Sequence, residues 1–376
     1  MKIAIAADLH IGANKFKTTN EKWCEPVVEL VDYAIENKID KVVFAGDVMN
    51  DRRPTTWASQ FLSDQLERLA NAGIEILGAD GNHDDGVAAD SVSATWHVMG
   101  TWARKHPEAR YITNAGSPVN IVLLPWVTPQ AYGISGERGL KQQLEDTQFH
   151  AIEHMKELIA PDATNILIGH AMVAYGSGED DLAPSPGLQW AGKDVVFDYH
   201  TLAKGFDGVF LGHVHDPESM GYVGSSQPTD WGDAGQRKSF QVIDTDYMKQ
   251  VTVVPYKTSL KLLDHNHKTA AALANLTDHY DIGRWHYHVE GEEQEPTVEE
   301  LARVRSEMEL HCDVVESITV TKDRTVVQRV NTDASLAAMD PGAAMKAWLR
   351  HSSIEPKASQ RVHSKFNSLL EAHSKQ

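Results

Sequence analysis

Residues Lys2–His10 read Lys-Ile-Ala-Ile-Ala-Ala-Asp-Leu-His. The five apolar residues Ile3–Ala7 are strand-sized, and an unbroken run marks a strand covered on both faces. The run stops at an acid and a histidine, where a strand would pass into a loop. The same pattern recurs down the chain. Val42–Ala45 leads into Gly46-Asp47, Ile74–Ala79 into Gly81-Asn82-His83-Asp84, Asn165–Gly169 into His170, and Asp207–Leu211 into Gly212-His213-Val214-His215. Between these runs, Pro26–Asn37, Thr56–Ala72, Ser91–Lys105 and Leu140–Ile159 carry apolar residues at helical spacing, and Gly73 is placed to end the second of them. Val119–Leu124 and Val251–Pro255 read as further strands. Alternating strands and helices predict a layered α/β fold.

The position of the motifs carries more than their letters. Each follows the C-terminal end of an apolar strand, the edge at which loops of α/β sheets converge on ligands. Asp8, His10, Asp47, Asn82, His83, Asp84, His170, His213 and His215 therefore gather at one edge. Carboxylate, amide and imidazole groups together suit borderline divalent ions better than calcium or magnesium. They are too many for one ion, so the pattern predicts two metals sharing a bridging carboxylate, ~3.5–4 Å apart. Such a pair activates water and clamps phosphate oxygens, which makes the expected chemistry hydrolytic phosphoryl transfer.

Composition limits the rest. With 376 residues and 41% apolar content the chain is a folded protein of two or three domains. Its apolar runs are too short to span a bilayer, and Asp8 and His10 interrupt the N-terminal stretch before a signal core forms, so no membrane attachment is expected. Cys24 and Cys312 fit no metal-ligand spacing, and a cytoplasmic setting is the natural expectation. The net charge of -18 argues against unaided electrostatic gripping of DNA.

Together the five motifs resemble the signature of calcineurin-like metallophosphoesterases. The resemblance implies a two-sheet layered core with helices outside. It also implies a first metal held by Asp8, His10, Asp47 and His215, and a second held by Asp47, Asn82, His170 and His213, with Asp47 bridging. His83 would contact the phosphate and assist the leaving group, oriented by Asp84. A further stretch, Tyr222-Val-Gly224-Ser225, Asp230-Trp231-Gly232-Asp233, Lys238-x-Phe240 and Val242-Ile243-Asp244, resembles SbcD-type nuclease subunits. Read without the resemblance, that stretch is a β-hairpin with ordinary turns; read with it, a strand pair completes the sheet beside the site.

The SbcD-type resemblance implies a DNA nuclease that uses two divalent ions, manganese first and magnesium, iron, cobalt or zinc as alternatives. It further implies homodimer formation through the region of Trp96, Met99, Trp102 and Ala103, and an SbcC-like ABC-type coiled-coil ATPase as partner. Asn50, Arg52 and Arg53, just past the second motif, are candidates for substrate contact, as are Lys15 and Lys17 after the first. The rival reading is a small-molecule phosphodiesterase or phosphatase, which also suits the acidic charge.

Past Val251–Pro255 the strand–helix rhythm stops. Arg284–Val289, a helix near Val298–Leu310 with the Thr297/Glu300 capping-box spacing, and Val314–Thr321 suggest a small β-α-β unit. The expected division is a nuclease domain at 1–262, a capping domain at 263–332 that would bind DNA, and helices at 333–376 that would dock the ATPase. Among these, Asp340–Leu349 presents Ala344, Met345, Trp348 and Leu349 as an apolar stripe. Tyr175–Asp194 reads as a long surface loop.

Overall fold

The computed structural model describes residues 1–322 except 14, 85–99, 114–117, 135, 137–138, 176–193, 248–249, 267–272, 274–275 and 290–293. Met1–Tyr287 and Pro296–Val320 form one compact unit. The expected C-terminal helices at 333–376, the body of the 176–193 loop, and Trp96 and Met99 lie outside the described residues.

Two sheets stack face to face. The first contains β1 (Lys2–Ala6), β2 (Lys41–Ala45), β3 (Glu75–Ala79), β4 (Thr101–Ala103), β11 (Ser239–Asp244) and β12 (Val251–Pro255), in the order β12-β11-β1-β2-β3-β4. The second contains β5 (Glu108–Ile112), β6 (Val119–Leu124), β7 (Thr164–His170) and β10 (Gly208–Gly212), in the order β10-β7-β6-β5. The pleat sends alternate residues to opposite faces. Ile3, Ile5, Val43, Ala45, Leu77 and Ala79 meet Ile121, Leu123, Ile166, Ile168 and Phe210 in the core between the sheets. The residues between them on the same strands face outward under helices. Ala4, Val42, Phe44 and Ile76 pack on α1 (Asn20–Glu36) and α2 (Thr56–Asn71). Val122, Leu124 and Leu167 pack on α3 (Leu140–Leu158) through Ala151 and Met155. The layering is helix, sheet, sheet, helix, as the family resemblance implies.

Local chemistry sets the helix ends. The Thr19 and Thr55 hydroxyls cap α1 and α2 by accepting from Lys22 N and Ala58 N. Gly73, at φ +77°, takes the left-handed turn after α2. The β1–α1–β2–α2–β3 crossovers keep these three strands parallel, so their C-terminal ends, and the motifs that follow them, share one edge.

One expectation is corrected and one alternative decided. Of the expected helix Ser91–Lys105, residues 91–99 lie outside the described residues, and Thr101–Ala103 is instead β4, parallel to β3. Trp102 lies flat on Phe44, ring centroids 5.9 Å apart, in the space left open over Gly78. Burying that indole and covering the β3 edge outweighs helical spacing here. Of the two open readings of Tyr222–Asp244, the hairpin does not form, and β11 joins the first sheet beside β1. Gly224, Pro228, Gly232 and Gly235 break the extended run, and only β11 is a strand, paired antiparallel with β1 on one side and β12 on the other.

Short strands β8 (Met172–Ala174) and β9 (Val196–Asp198) pair beside β7, and a single turn α4 (Tyr199–Leu202) follows. The later segment forms a three-stranded sheet of β13 (Leu262–Asn266), β14 (Tyr280–Val289) and β15 (Cys312–Lys322). Its helix α5 (Val298–His311) carries the Thr297/Glu300 capping box and packs Val304 and Met308 onto Trp285 and Leu263. The sequence reading lacks β13, which runs parallel to β14.

Candidate metal centre

All five motifs meet at the C-terminal edges of β1, β2, β3, β7 and β10. Past the strand ends, the first two loops zip together through Asp8 N to Gly46 O (3.0 Å), His10 N to Asp47 O (3.0 Å) and Ile11 N to Val48 O (2.9 Å). The third loop is tied in by Asp84. Its buried carboxylate accepts from Val48 N (3.1 Å), Met49 N (2.9 Å) and Gly81 N (2.9 Å). The expectation that Asp84 orients the His83 ring is thereby corrected. Asp84 fixes backbone, and the His83 Nδ1 instead faces the Asn50 carbonyl at 2.5 Å.

The backbone is bent out of its easy conformations to aim these side chains. Asp8, His10, Asp47 and His213 adopt φ of 50°, 46°, 48° and 98°. Non-glycine residues at positive φ cost roughly 1–3 kcal/mol each and persist where surroundings impose them. Glycine opens the space. Gly46 has φ +83°, and a Cβ there would run into the His170 imidazole; one on Gly81 would meet the Asp47 carboxylate. Gly46→Ala is therefore expected to lower both the melting temperature and the metal content, the backbone strain alone costing about 1–2 kcal/mol. A variant with wild-type melting and metal content would show that the ring is not held where the structure has it.

Asp47 sits at the centre. Its Oδ1 accepts from His83 N at 2.8 Å, leaving Oδ2 3.5 Å from His170 Nε2 and 3.9 Å from His10 Nε2. On one side, His10 Nε2 and His215 Nε2 face each other at 3.3 Å, with Asp8 Oδ1 3.8 Å from His215. On the other, Asn82 Oδ1 lies 3.0 Å from His170 Nε2 and 3.2 Å from His213 Nδ1. Three groups converge closely enough to hold ions: Asp8, His10 and His215; His10, Asp47 and His83; Asp8, Asp47 and His170.

The donor set fits divalent cations. The Ala45 carbonyl, 2.9 Å from His170 Nδ1, must accept a proton there, so the Nε2 lone pair points at Asp47 and Asn82 oxygens. Facing lone pairs need a cation between them. Burial pushes His10, His213 and His215 down to about 3, which keeps them uncharged donors at neutral pH. His170 is pushed the other way, up to about 9: burial opposes this, but the Asp47 and Asp8 charges prevail, and the same charges would favour a cation beside it.

Residues 1–217 match the calcineurin-like phosphoesterase family. The chain belongs to that family. Among its relatives, the D subunit of the nuclease SbcCD from Bacillus subtilis is 24% identical over 270 residues, 67% of this chain and 68% of that one. Its counterpart from Staphylococcus epidermidis is 26% identical over 273 residues, 68% and 70% of the two chains. A dimetal phosphatase from Danio rerio matches in structure at 13% identity with a TM-score of 0.39, over 68% of this chain and 99% of that chain.

As a calcineurin-like phosphoesterase, the protein is a metal-dependent phosphodiesterase, and its candidate ligand groups suit divalent ions. When bound, such ions supply an activated water and a Lewis-acid clamp on phosphate oxygens. The chain supplies the rest. His83, half-buried with its ring 4.9 Å from His10, stands between the centre and a pocket of about 550 Å³ lined by Asn50, Asp51, Arg52, Arg53 and Asn82. Arg52 and Arg53 are exposed at its rim, while the Asn50 amide is turned onto Asp51 Oδ2 at 2.9 Å. Lys15 and Lys17 are exposed in the loop after His10.

Other neighbours escaped the sequence reading. Trp126 lies 4.8 Å from His213, ring to ring, and Trp23 Nε1 donates to the His10 carbonyl at 3.0 Å. Neither has a sequence signal, since a lone tryptophan reads as core. No helix among the described residues is long and apolar enough to cross a membrane.

Proposed function

We propose that the protein is a manganese-dependent DNA nuclease, cutting duplex ends, single strands or both, and the nuclease component of an SbcCD-like complex. In that role it would act in the cytoplasm in DNA repair, recombination or replication, as a homodimer beside an SbcC-like ATPase. Asp8, His10, Asp47 and His215 would hold one ion and Asp47, Asn82, His170 and His213 the other. The observation that carries this reading is the pocket beside the ligand set. Its lining includes the exposed Arg52 and Arg53 and the half-buried His83. A surface pocket with paired guanidiniums suits a phosphodiester within a polymer, which enters from the side. The two SbcCD relatives, each similar over about two-thirds of its length, favour the same reading. The -18 charge then calls for local cations and a partner to supply the grip. Residues 263–332 would cover the DNA, and 333–376 would reach the ATPase.

Manganese-loaded protein incubated with labelled duplex DNA, single-stranded DNA and a chromogenic phosphodiester tests this. Degradation of either DNA is expected, whereas cleavage of the small ester alone would favour a small-molecule phosphodiesterase. Replacing Arg52 and Arg53 together with alanine is expected to raise KM for DNA. It should also flatten the dependence of binding on salt, by about 0.9 in log–log slope for each phosphate no longer neutralised. An unchanged slope would remove both residues from the DNA path.

A further inference from the structure

Behind the ligand His215 runs a polar chain that no metal-holding role explains. Lys238 and Asp233 are buried, 3% and 5% exposed, and their side chains approach to 3.4 Å. Asp233 Oδ2 accepts from Thr229 N at 2.7 Å and lies 3.1 Å from Thr229 Oγ1. Thr229 Oγ1 is in turn 2.6 Å from His215 Nδ1. Lys238 Nζ closes the loop by donating to the His215 carbonyl at 2.9 Å and to Gln236 Oε1 at 2.7 Å.

Hydrogen counting orients this chain. A carboxylate only accepts, and a threonine hydroxyl has one proton to give. If that proton went to His215, the Thr229 oxygen would face the Asp233 carboxylate with lone pair against lone pair. Pointed at Asp233 it satisfies both contacts, and the hydroxyl then accepts from His215 Nδ1–H. A proton on Nδ1 leaves the lone pair on Nε2, the atom that faces His10 and Asp8. We propose that Thr229 is a positioning residue that sets the tautomer and aim of His215, with Asp233 and Lys238 holding its hydroxyl in place. A buried ion pair is a weak way to stabilise a turn, whereas partners of this kind behind a ligating histidine tune the metal. The inference rests on the binuclear centre and not on which phosphodiester is cut.

The test is calorimetric titration of metal-free protein with Mn2+. Thr229→Val keeps the shape and loses the hydroxyl; it is expected to bind one of two ions about 10–100-fold more weakly and leave the other unchanged. Thr229→Ser, which keeps the hydroxyl, should recover the wild-type affinity. A valine variant that titrates like wild type overturns the proposal, and so does a serine variant as weak as the valine one. Metal-free melting curves separate lost folding from lost binding, and Thr229→Ala replaces the valine variant if that one does not fold. Because the readout is ion binding, failure here leaves the nuclease reading intact, and failure to cut DNA leaves this one intact.

Discussion

Asp47→Ala is expected to strip the protein of both metal ions and of its phosphodiesterase activity. The Asp47 Oδ1 is occupied by the His83 N–H, and Oδ2 lies between His170 on one side and His10 on the other. An oxygen so placed would serve both ions, and alanine supplies no oxygen in its place. The loss should exceed the roughly 10–100-fold that removal of an outer partner costs. His10→Ala is the comparison, since His10 flanks one side only and should weaken one ion. Metal analysis of both variants after gel filtration decides the matter. Two ions per chain in the Asp47 variant would show that another group bridges.

His83→Ala should separate binding from chemistry. The His83 ring is fixed by the Asn50 carbonyl at Nδ1 and by packing against His10. That leaves Nε2 free to meet a phosphate or leaving oxygen. Loss of such a group costs about 10²–10⁴-fold in rate. His83 also converges with His10 and Asp47, but if Asp8, His10, Asp47, Asn82, His170, His213 and His215 hold the metals, both ions and DNA affinity should remain. Near wild-type turnover at saturating metal would remove His83 from the chemistry, and loss of an ion would make it a ligand.

The layered core was legible because its strands are unbroken apolar runs, each stopped by a motif at the same edge. Where the sequence misled, a long-range contact overrode a local pattern. Trp102 fits a helical stripe, yet its indole fills the hollow over Gly78 and its backbone extends β3's sheet. β13 escaped because its apolar share is only Leu262 and Leu263, the exposed remainder being carried by pairing to β14. The ligand candidates were legible for a simple reason: metals demand particular residue types at particular strand ends. What supports them was not. Asp84 looked like a partner for His83 because they are neighbours in sequence, but its three hydrogen bonds go to backbone N–H groups of two loops. Thr229 and Asp233 lie 14 and 18 residues beyond His215, a distance at which no spacing rule operates. Asn50 contributes through its carbonyl, which every residue has, so its role leaves no mark on the sequence.

The central claim is a pair of ions sharing Asp47, and anomalous diffraction from crystals grown with manganese tests it most directly. Two anomalous peaks are expected, ~3.5–4 Å apart and on either side of Asp47 Oδ2, one against His10 and His215 and the other against His170 and His213. A single peak, or two peaks with Asp47 in contact with only one, would contradict it.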